Sequence, residues 1–460
     1  MDWADFGIDL HLDLPPGGRG AAGRRAALER ALREAVRSGR LPPGSRLPAT
    51  RTLAAELGLA RNTVAAAYDQ LVAEGFLTAR TGSGTTVAAV PRVPAAAGPV
   101  AAQPELPRYD LRPGSPDVTA FPTAAWLRAA RRALGAAPAR TFDYGDPRGA
   151  VELRTALAAY LGRARGVLAH PDRIVVTAGY VQALALLARL HRVVAMEDPG
   201  LAYHRDVARH AGARAVPITV DGDGARTDTL SDEDAVVLTP AHQYPTGVTL
   251  APARRVAVTE WARRTGGLVI EDDYDGEFRY DRQPVGAVQG MAPEHVAYVG
   301  TTAKTLGPAL RLGWVVLPAR LVEPVTEAKR LADAHTGTLG QLTLADMITS
   351  HAYDRHVRAS RARYRRRRDL LLARLGGGAH RVGGIAAGLH ALVTLPPDGP
   401  SEAAVLAAAA RQGLALGDLA SHWHTPGDRP QGLIVGYGTP GPSTYPAALD
   451  VLARTLRSTA

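Results

Sequence analysis

Leu268-Val269-Ile270-Glu271-Asp272-Asp273-Tyr274 is a short aliphatic run that breaks into three carboxylates and a phenol. An apolar stretch of that length with a polar boundary reads as a buried strand. Its carboxylates then fall at the strand's carboxyl end, where open α/β sheets hold their ligands. Comparable runs stand at 174–177, 193–197, 236–239, 296–300 and 314–317, with helical stretches between them. The alternation predicts an α/β fold with a mostly parallel sheet and helices on both faces.

Thirty-two residues beyond Asp272, and just past the strand at 296–300, comes Lys304. The chain has 54 basic residues, of which only Lys304 and Lys329 are lysine. A chain that makes its surface charge from arginine has little reason to keep a lysine unless it needs a deprotonatable amine, because guanidinium cannot form an imine. Lys329, in Glu327-Ala328-Lys329-Arg330, reads as part of an exposed helix, which leaves Lys304 as the candidate for chemistry. The chain has no cysteine, which excludes a disulfide scaffold, a thiolate zinc site and a cysteine nucleophile. No metal site is expected.

An amine, a carboxylate at a strand end, a phenol and a phosphate cradle are what pyridoxal phosphate requires of a protein. Lys304 offers the amine, and Glu271-Asp272-Asp273-Tyr274 offers carboxylates and a phenol at a strand's carboxyl end. Arg311, seven residues after Lys304, can pair with phosphate, and Thr301 and Thr302 precede the lysine. Thr177-Ala178-Gly179-Tyr180-Val181-Gln182 joins a strand to a helix, so backbone N–H groups at Tyr180 and Val181 can cradle phosphate oxygens.

Upstream the pattern changes. Leu28, Leu32 and Val36 mark an amphipathic helix, a short helix follows from about Thr50 to Leu57, and a third begins at Arg61-Asn62-Thr63 and buries Val64, Tyr68 and Leu71. Two strand-like pieces joined by Thr81-Gly82-Ser83-Gly84 complete a winged helix-turn-helix over 19–88. Residues 89–107, rich in Ala and Pro, form a linker, and 108–460 form the large domain, with a smaller α+β part at its C-terminus. In a helix-turn-helix the third helix enters the major groove. Arg61, Asn62 and Thr63 are therefore the candidates for base and phosphate contacts, with Arg51, Arg80, Gly82 and Ser83 against the backbone or minor groove.

The charge follows this division. Residues 19–87 hold eleven Arg against five acids, and 355–368 hold eight Arg and no acid, within a chain of net charge +10. Basic patches of this kind fit a polyanionic partner, double-stranded DNA. The second run reads either as an auxiliary DNA-contacting surface or as a solvated helix face. No stretch approaches the ~20 apolar residues of a membrane span, and Met1-Asp2-Trp3-Ala4-Asp5 has no leader character. A cytoplasmic protein without a membrane partner is expected.

The N-terminal motifs resemble the GntR-type winged helix: Leu47-Pro48-Ala49-Thr50-Arg51, Arg61-Asn62-Thr63-Val64, Glu74-Gly75 and Arg80-Thr81-Gly82-Ser83-Gly84-Thr85. The large domain resembles a fold-type-I aminotransferase in Tyr144-Gly145-Asp146-Pro147-Arg148-Gly149, in Pro240-Ala241-His242-Gln243-Tyr244-Pro245-Thr246-Gly247 and around Asp272 and Lys304. Together they are similar to the MocR/GabR regulators. That resemblance implies pyridoxal 5'-phosphate as cofactor, with Lys304 as the Schiff-base lysine, Asp272 on the pyridine nitrogen, Tyr274 on the ring oxygen, Arg311 with Thr302 on the phosphate, and Tyr144 among the cofactor-binding residues. It also implies a homodimer.

Three positions depart from the pattern. Leu201, after Asp198-Pro199-Gly200, stands where the family usually has an aromatic that stacks on the cofactor ring, with Tyr203 as a substitute. The turn Leu190-His191-Arg192-Val193 is shortened. Ile434 lies where aminotransferases place the arginine for a substrate carboxylate. The expected function is a DNA-binding regulator that senses pyridoxal phosphate, or its adduct with an amine or amino acid, and controls vitamin B6 synthesis or an adjacent metabolic operon. The alternative is an active aminotransferase carrying a DNA-binding domain.

Overall fold

The computed structural model describes residues 21–80, 84–89, 106–280, 285–376, 380–425 and 427–459. The chain divides into two compact units, Met1–Glu105 and Leu106–Ala460. Most of the expected linker, and Gly82 and Ser83 of the expected wing, lie outside the described residues.

In the small unit α1 (Ala21–Arg37), α2 (Thr50–Glu56) and α3 (Arg61–Ala73) precede an antiparallel pair, β1 (Leu77–Arg80) and β2 (Gly84–Val87). The spacing of apolar residues dictates the packing: Leu28, Leu32 and Val36 from α1 meet Leu53 from α2, Val64, Tyr68 and Leu71 from α3, and Leu77 and Val87 from the hairpin. Tyr68 buries its ring and donates to the Pro48 carbonyl at 3.1 Å, which ties α3 to the chain ahead of α2. Arg33 pairs with Glu74 at 2.8 Å, linking α1 to the end of α3.

The large unit is built on an eight-stranded sheet. Its order is Ile174–Thr177, Gly313–Val316, Val296–Thr301, Leu268–Asp272, Ala235–Leu238, Val193–Asp198, Arg214–Asp221, Gly224–Ala225. Gly313–Val316 runs against both its neighbours, and the short edge strand Gly224–Ala225 runs against Arg214–Asp221; the other junctions are parallel. The central strands are buried on both faces, as helix-covered parallel sheets must be. A second sheet, Arg381–Val382, His390–Thr394, Gly432–Gly436 and Gly417–Asp418, is antiparallel. It packs with helices Ala352–Leu375 and Tyr445–Thr459 in the C-terminal core. The strand Arg214–Asp221 escaped the sequence reading because Pro217 and exposed polar positions interrupt its apolar pattern.

Candidate functional site

The strand Leu268–Asp272 and the two residues after it sort their carboxylates by side. Successive side chains on a strand point to opposite faces, so Glu271 and Asp273 turn one way and Asp272 the other. Glu271 accepts from the N–H groups of Val288 and Gln289, both at 2.9 Å. Asp273 accepts from Arg165 at 2.6 Å and from the Tyr298 hydroxyl at 2.7 Å. Asp272 Oδ1 is buried with no hydrogen-bond partner among the described residues. It lines a cavity of about 540 Å³ shared with Lys304, Tyr274, Thr301 and Arg311.

Burial pushes the Asp272 carboxyl well above the usual carboxylate range, while the Tyr180 hydroxyl and Lys304 draw it back. Burial likewise lowers the Lys304 ammonium, against the charges of Asp275 and Asp272. Lys304 donates to the Gly114 carbonyl. Tyr274 donates to the His242 carbonyl at 3.0 Å, and His242 Nδ1 is held by Asp275 at 2.8 Å. His242, Asp275 and His390 bring ligand atoms within 4.8 Å of one another, but the Asp275 contact already engages His242.

The phosphate end is built from the turn after Ile174–Thr177. Gly179 has φ 95° and caps helix Tyr180–Ala188. A Cβ there would meet the Arg311 guanidinium at 3.3 Å, so glycine is required both by the backbone and by the arginine. Arg311 donates to the Ala178 carbonyl of the same turn. The Ala178 N–H is held by Gln182 Oε1 at 2.8 Å, and Gln182 Nε2 donates to Asp333 at 2.8 Å. Lys329 completes this chain with contacts to Asp333 at 2.7 and 2.9 Å. Lys329 is 0% exposed, so the expectation of an exposed helix is wrong for this residue. A compact ammonium fits a buried site among three acceptors where a guanidinium fork would not.

Two of the expected cofactor residues do not line the cavity of this chain. The Thr302 side chain is fully buried outside the cavity lining and donates to the Leu312 carbonyl at 3.1 Å; its neighbour Thr301 lines the cavity instead. Tyr144 is 88% exposed and does not line the cavity of its own chain. Tyr180 and Val181 do line it. The sequence reading missed Glu197, His204, Arg205 and His390, which also line it. Glu197, His204 and Arg205 flank Asp198-Pro199-Gly200 and His390 comes from the small sheet, far along the chain.

In the small unit, Arg51, Arg61, Asn62 and Arg80 are exposed and Thr63 is half-buried. Arg46, not singled out from sequence, stands against Gly84 at the turn end of the hairpin, where a Cβ would meet its Nε at 3.1 Å. The start of α3 thus presents two polar side chains on a small, well-packed scaffold, as groove insertion requires.

Residues 113–409 match the family of class I and II aminotransferases, and residues 24–87 match the gntR family of bacterial regulatory proteins. The probable rhizopine catabolism regulatory protein MocR of Rhizobium meliloti is 34% identical over 369 residues, covering 74% of this chain and 75% of the relative. The HTH-type pyridoxine biosynthesis transcriptional regulator PdxR of Corynebacterium glutamicum is 31% identical over 417 residues, covering 89% and 90%. The chain belongs to the MocR-type regulators of the GntR family. Its large unit has the fold of a Pyrococcus horikoshii kynurenine aminotransferase, with a TM-score of 0.70 at 24% identity over 76% of this chain and 90% of that one.

This MocR-type regulator is a transcription regulator whose large unit has the aminotransferase fold. Ile434 is 0% exposed and packs with Leu392 and Leu419 inside the small sheet. Arg205 reaches the cavity wall, but its guanidinium donates to the carbonyls of Gly200 at 2.7 Å, His422 at 2.9 Å and Trp423 at 3.1 Å. No helix among the described residues is long and apolar enough to cross a membrane.

Proposed function

We propose that this regulator holds pyridoxal 5'-phosphate on Lys304 and that occupancy of the cavity changes its binding to an operator in double-stranded DNA. The observation that carries the reading is the orphaned Asp272 Oδ1, buried beside Lys304 while both neighbouring carboxylates are satisfied. A buried carboxylate without a partner calls for a cationic donor, and a protonated ring nitrogen is one. When bound, the cofactor supplies an electrophilic carbonyl that captures a primary amine.

The chain's own groups divide the remaining work. Burial favours the neutral, nucleophilic form of Lys304. Asp272 holds the ring-nitrogen proton, and Tyr274 stands ready to turn its hydroxyl from the His242 carbonyl to the ring oxygen. The start of helix Tyr180–Ala188, Thr301 and Arg311 hold the phosphate. Arg61, Asn62 and Thr63 read the operator, with Arg51 and Arg80 on its backbone.

The signal is pyridoxal phosphate itself or its adduct with an amine or amino acid. The role named for the Corynebacterium relative supports vitamin B6 genes as the regulated set. The protein acts in the cytoplasm as a homodimer. A gel shift on the gene's own upstream region tests this: altered affinity or mobility with pyridoxal phosphate is expected, and no change discards it. The second reading, an active aminotransferase, is favoured by the retained Lys304 and Asp272. It is opposed by Ile434 and the committed Arg205, and sustained turnover of amino donors and keto acids would establish it.

A further inference from the structure

Leu201 lines the cavity where an aromatic residue is expected, and it cannot stack. Tyr203, the candidate substitute, also lines the cavity but is 57% exposed. Tyr180 is placed differently. Its backbone forms the first residue of the helix behind the phosphate turn, and its side chain is buried along the cavity wall. Its buried hydroxyl acts on the Asp272 carboxyl and draws it back toward the ordinary carboxylate range. The phenol ring therefore runs from the phosphate cradle to the partner of the ring nitrogen, which are the two anchor points a pyridoxal phosphate molecule must itself join. The His204 ring, which lines the same cavity, packs against the Tyr180 ring with centroids 4.5 Å apart and 37° between the planes.

We propose that Tyr180 supplies the aromatic wall against the cofactor ring in this chain, taking over from the position occupied by Leu201. The proposal rests on the reading of the cavity as a pyridoxal phosphate site. Offset aromatic contacts prefer centroid separations of about 4.5–7 Å, and the Tyr180–His204 pair already meets that condition on one face. Tyr180 and Leu201 line the same cavity, and of the two only Tyr180 offers a ring.

The test uses the full-length protein and pyridoxal phosphate. Affinity is read by titration, the induced circular dichroism of the bound cofactor reports its chiral surroundings, and thermal melting reports folding. Tyr180→Met, which fills the volume without a ring, should weaken affinity by roughly five- to tenfold and remove most of the induced signal. Tyr180→Phe should keep the signal and stay within about threefold. Adding Leu201→Tyr to Tyr180→Leu should recover affinity and signal, and this pair carries the test if Tyr180→Met does not fold.

Wild-type affinity and signal in Tyr180→Met would overturn the assignment. So would a Tyr180→Phe variant as weak as Tyr180→Met, since the hydroxyl would then be the active part. A wild-type chain that yields no borohydride-fixed adduct on Lys304 would overturn the cofactor reading and this assignment together, whereas a normal wild-type chain with an indifferent Tyr180→Met overturns the assignment alone.

Discussion

Arginine behaves in opposite ways in the two units. On the small unit Arg51, Arg61 and Arg80 are exposed around the start of α3 and the hairpin. In the large unit Arg154, Arg165, Arg205, Arg255 and Arg367 are buried, and each spends its guanidinium on carbonyls or carboxylates of its own chain. The five donors of a guanidinium suit it to either task. A net charge of +10 therefore says little about which cations can meet a polyanion; the burial of each one decides.

The helix Ala352–Leu375 contains both behaviours within one run, and it gives the largest expected effect. Arg367 pairs with Asp117 at 2.9 Å and donates to the carbonyls of Tyr437 and Gly438. Arg367→Met should cost about 3–5 kcal/mol, seen as a fall in the thermal midpoint, because it leaves a buried carboxylate unpaired. Arg358, Arg365 and Arg366 are exposed on the same helix. Their joint replacement by Gln should leave melting unchanged and flatten the salt dependence of operator binding if this face touches DNA. An unchanged slope makes it a solvated face. Arg367 drops out of the DNA-contacting set suggested by sequence.

Asp272→Asn should weaken pyridoxal phosphate binding by about a hundredfold, since it removes the charge that a buried cationic donor needs. Operator affinity without cofactor should stay the same, so a loss in both assays would argue against separate tasks for the two regions. Arg61→Ala should reverse the pattern. Operator affinity should fall roughly ten- to hundredfold while the melting temperature and cofactor titration hold.

The smallest effect is in pH. Burial and the charge of Lys304 push His204 down to about 3 from the ordinary 6.5. A depressed folded-state value means that protonation opposes folding. The contribution is complete above about pH 6.5 and is lost as pH falls toward 3. In the cofactor-free protein, His204→Gln should therefore make the thermal midpoint fall less between pH 6.5 and 5, by roughly 2–4 °C. Parallel pH profiles for the two proteins would show that His204 is not held neutral by its surroundings.

Much of the site was readable from local order. The strand ends at 272 and 301, the glycine turn before Tyr180, the isolated lysine and the exposed start of α3 all sit in neighbouring residues with a fixed period. Thr302 and Lys329 were misread for a common reason. Thr302 differs from Thr301 only in the direction its side chain takes after the strand, and Lys329 is buried by Gln182 and Asp333, the first of which is 147 residues away in the chain.

The amino-acid order by itself determined the two-part architecture and the residue types at the cofactor site, because strand alternation, helical period and turn chemistry act over a few residues. Only the tertiary structure decided which groups are spent and which are free. Glu271 and Asp273 are satisfied by Gln289 and Arg165, Arg205 by carbonyls 216 to 218 residues along the chain, and Arg367 by Asp117, 250 residues away. Those partners meet through packing of distant segments, and none of them reaches Asp272 Oδ1 in the cavity it shares with Lys304.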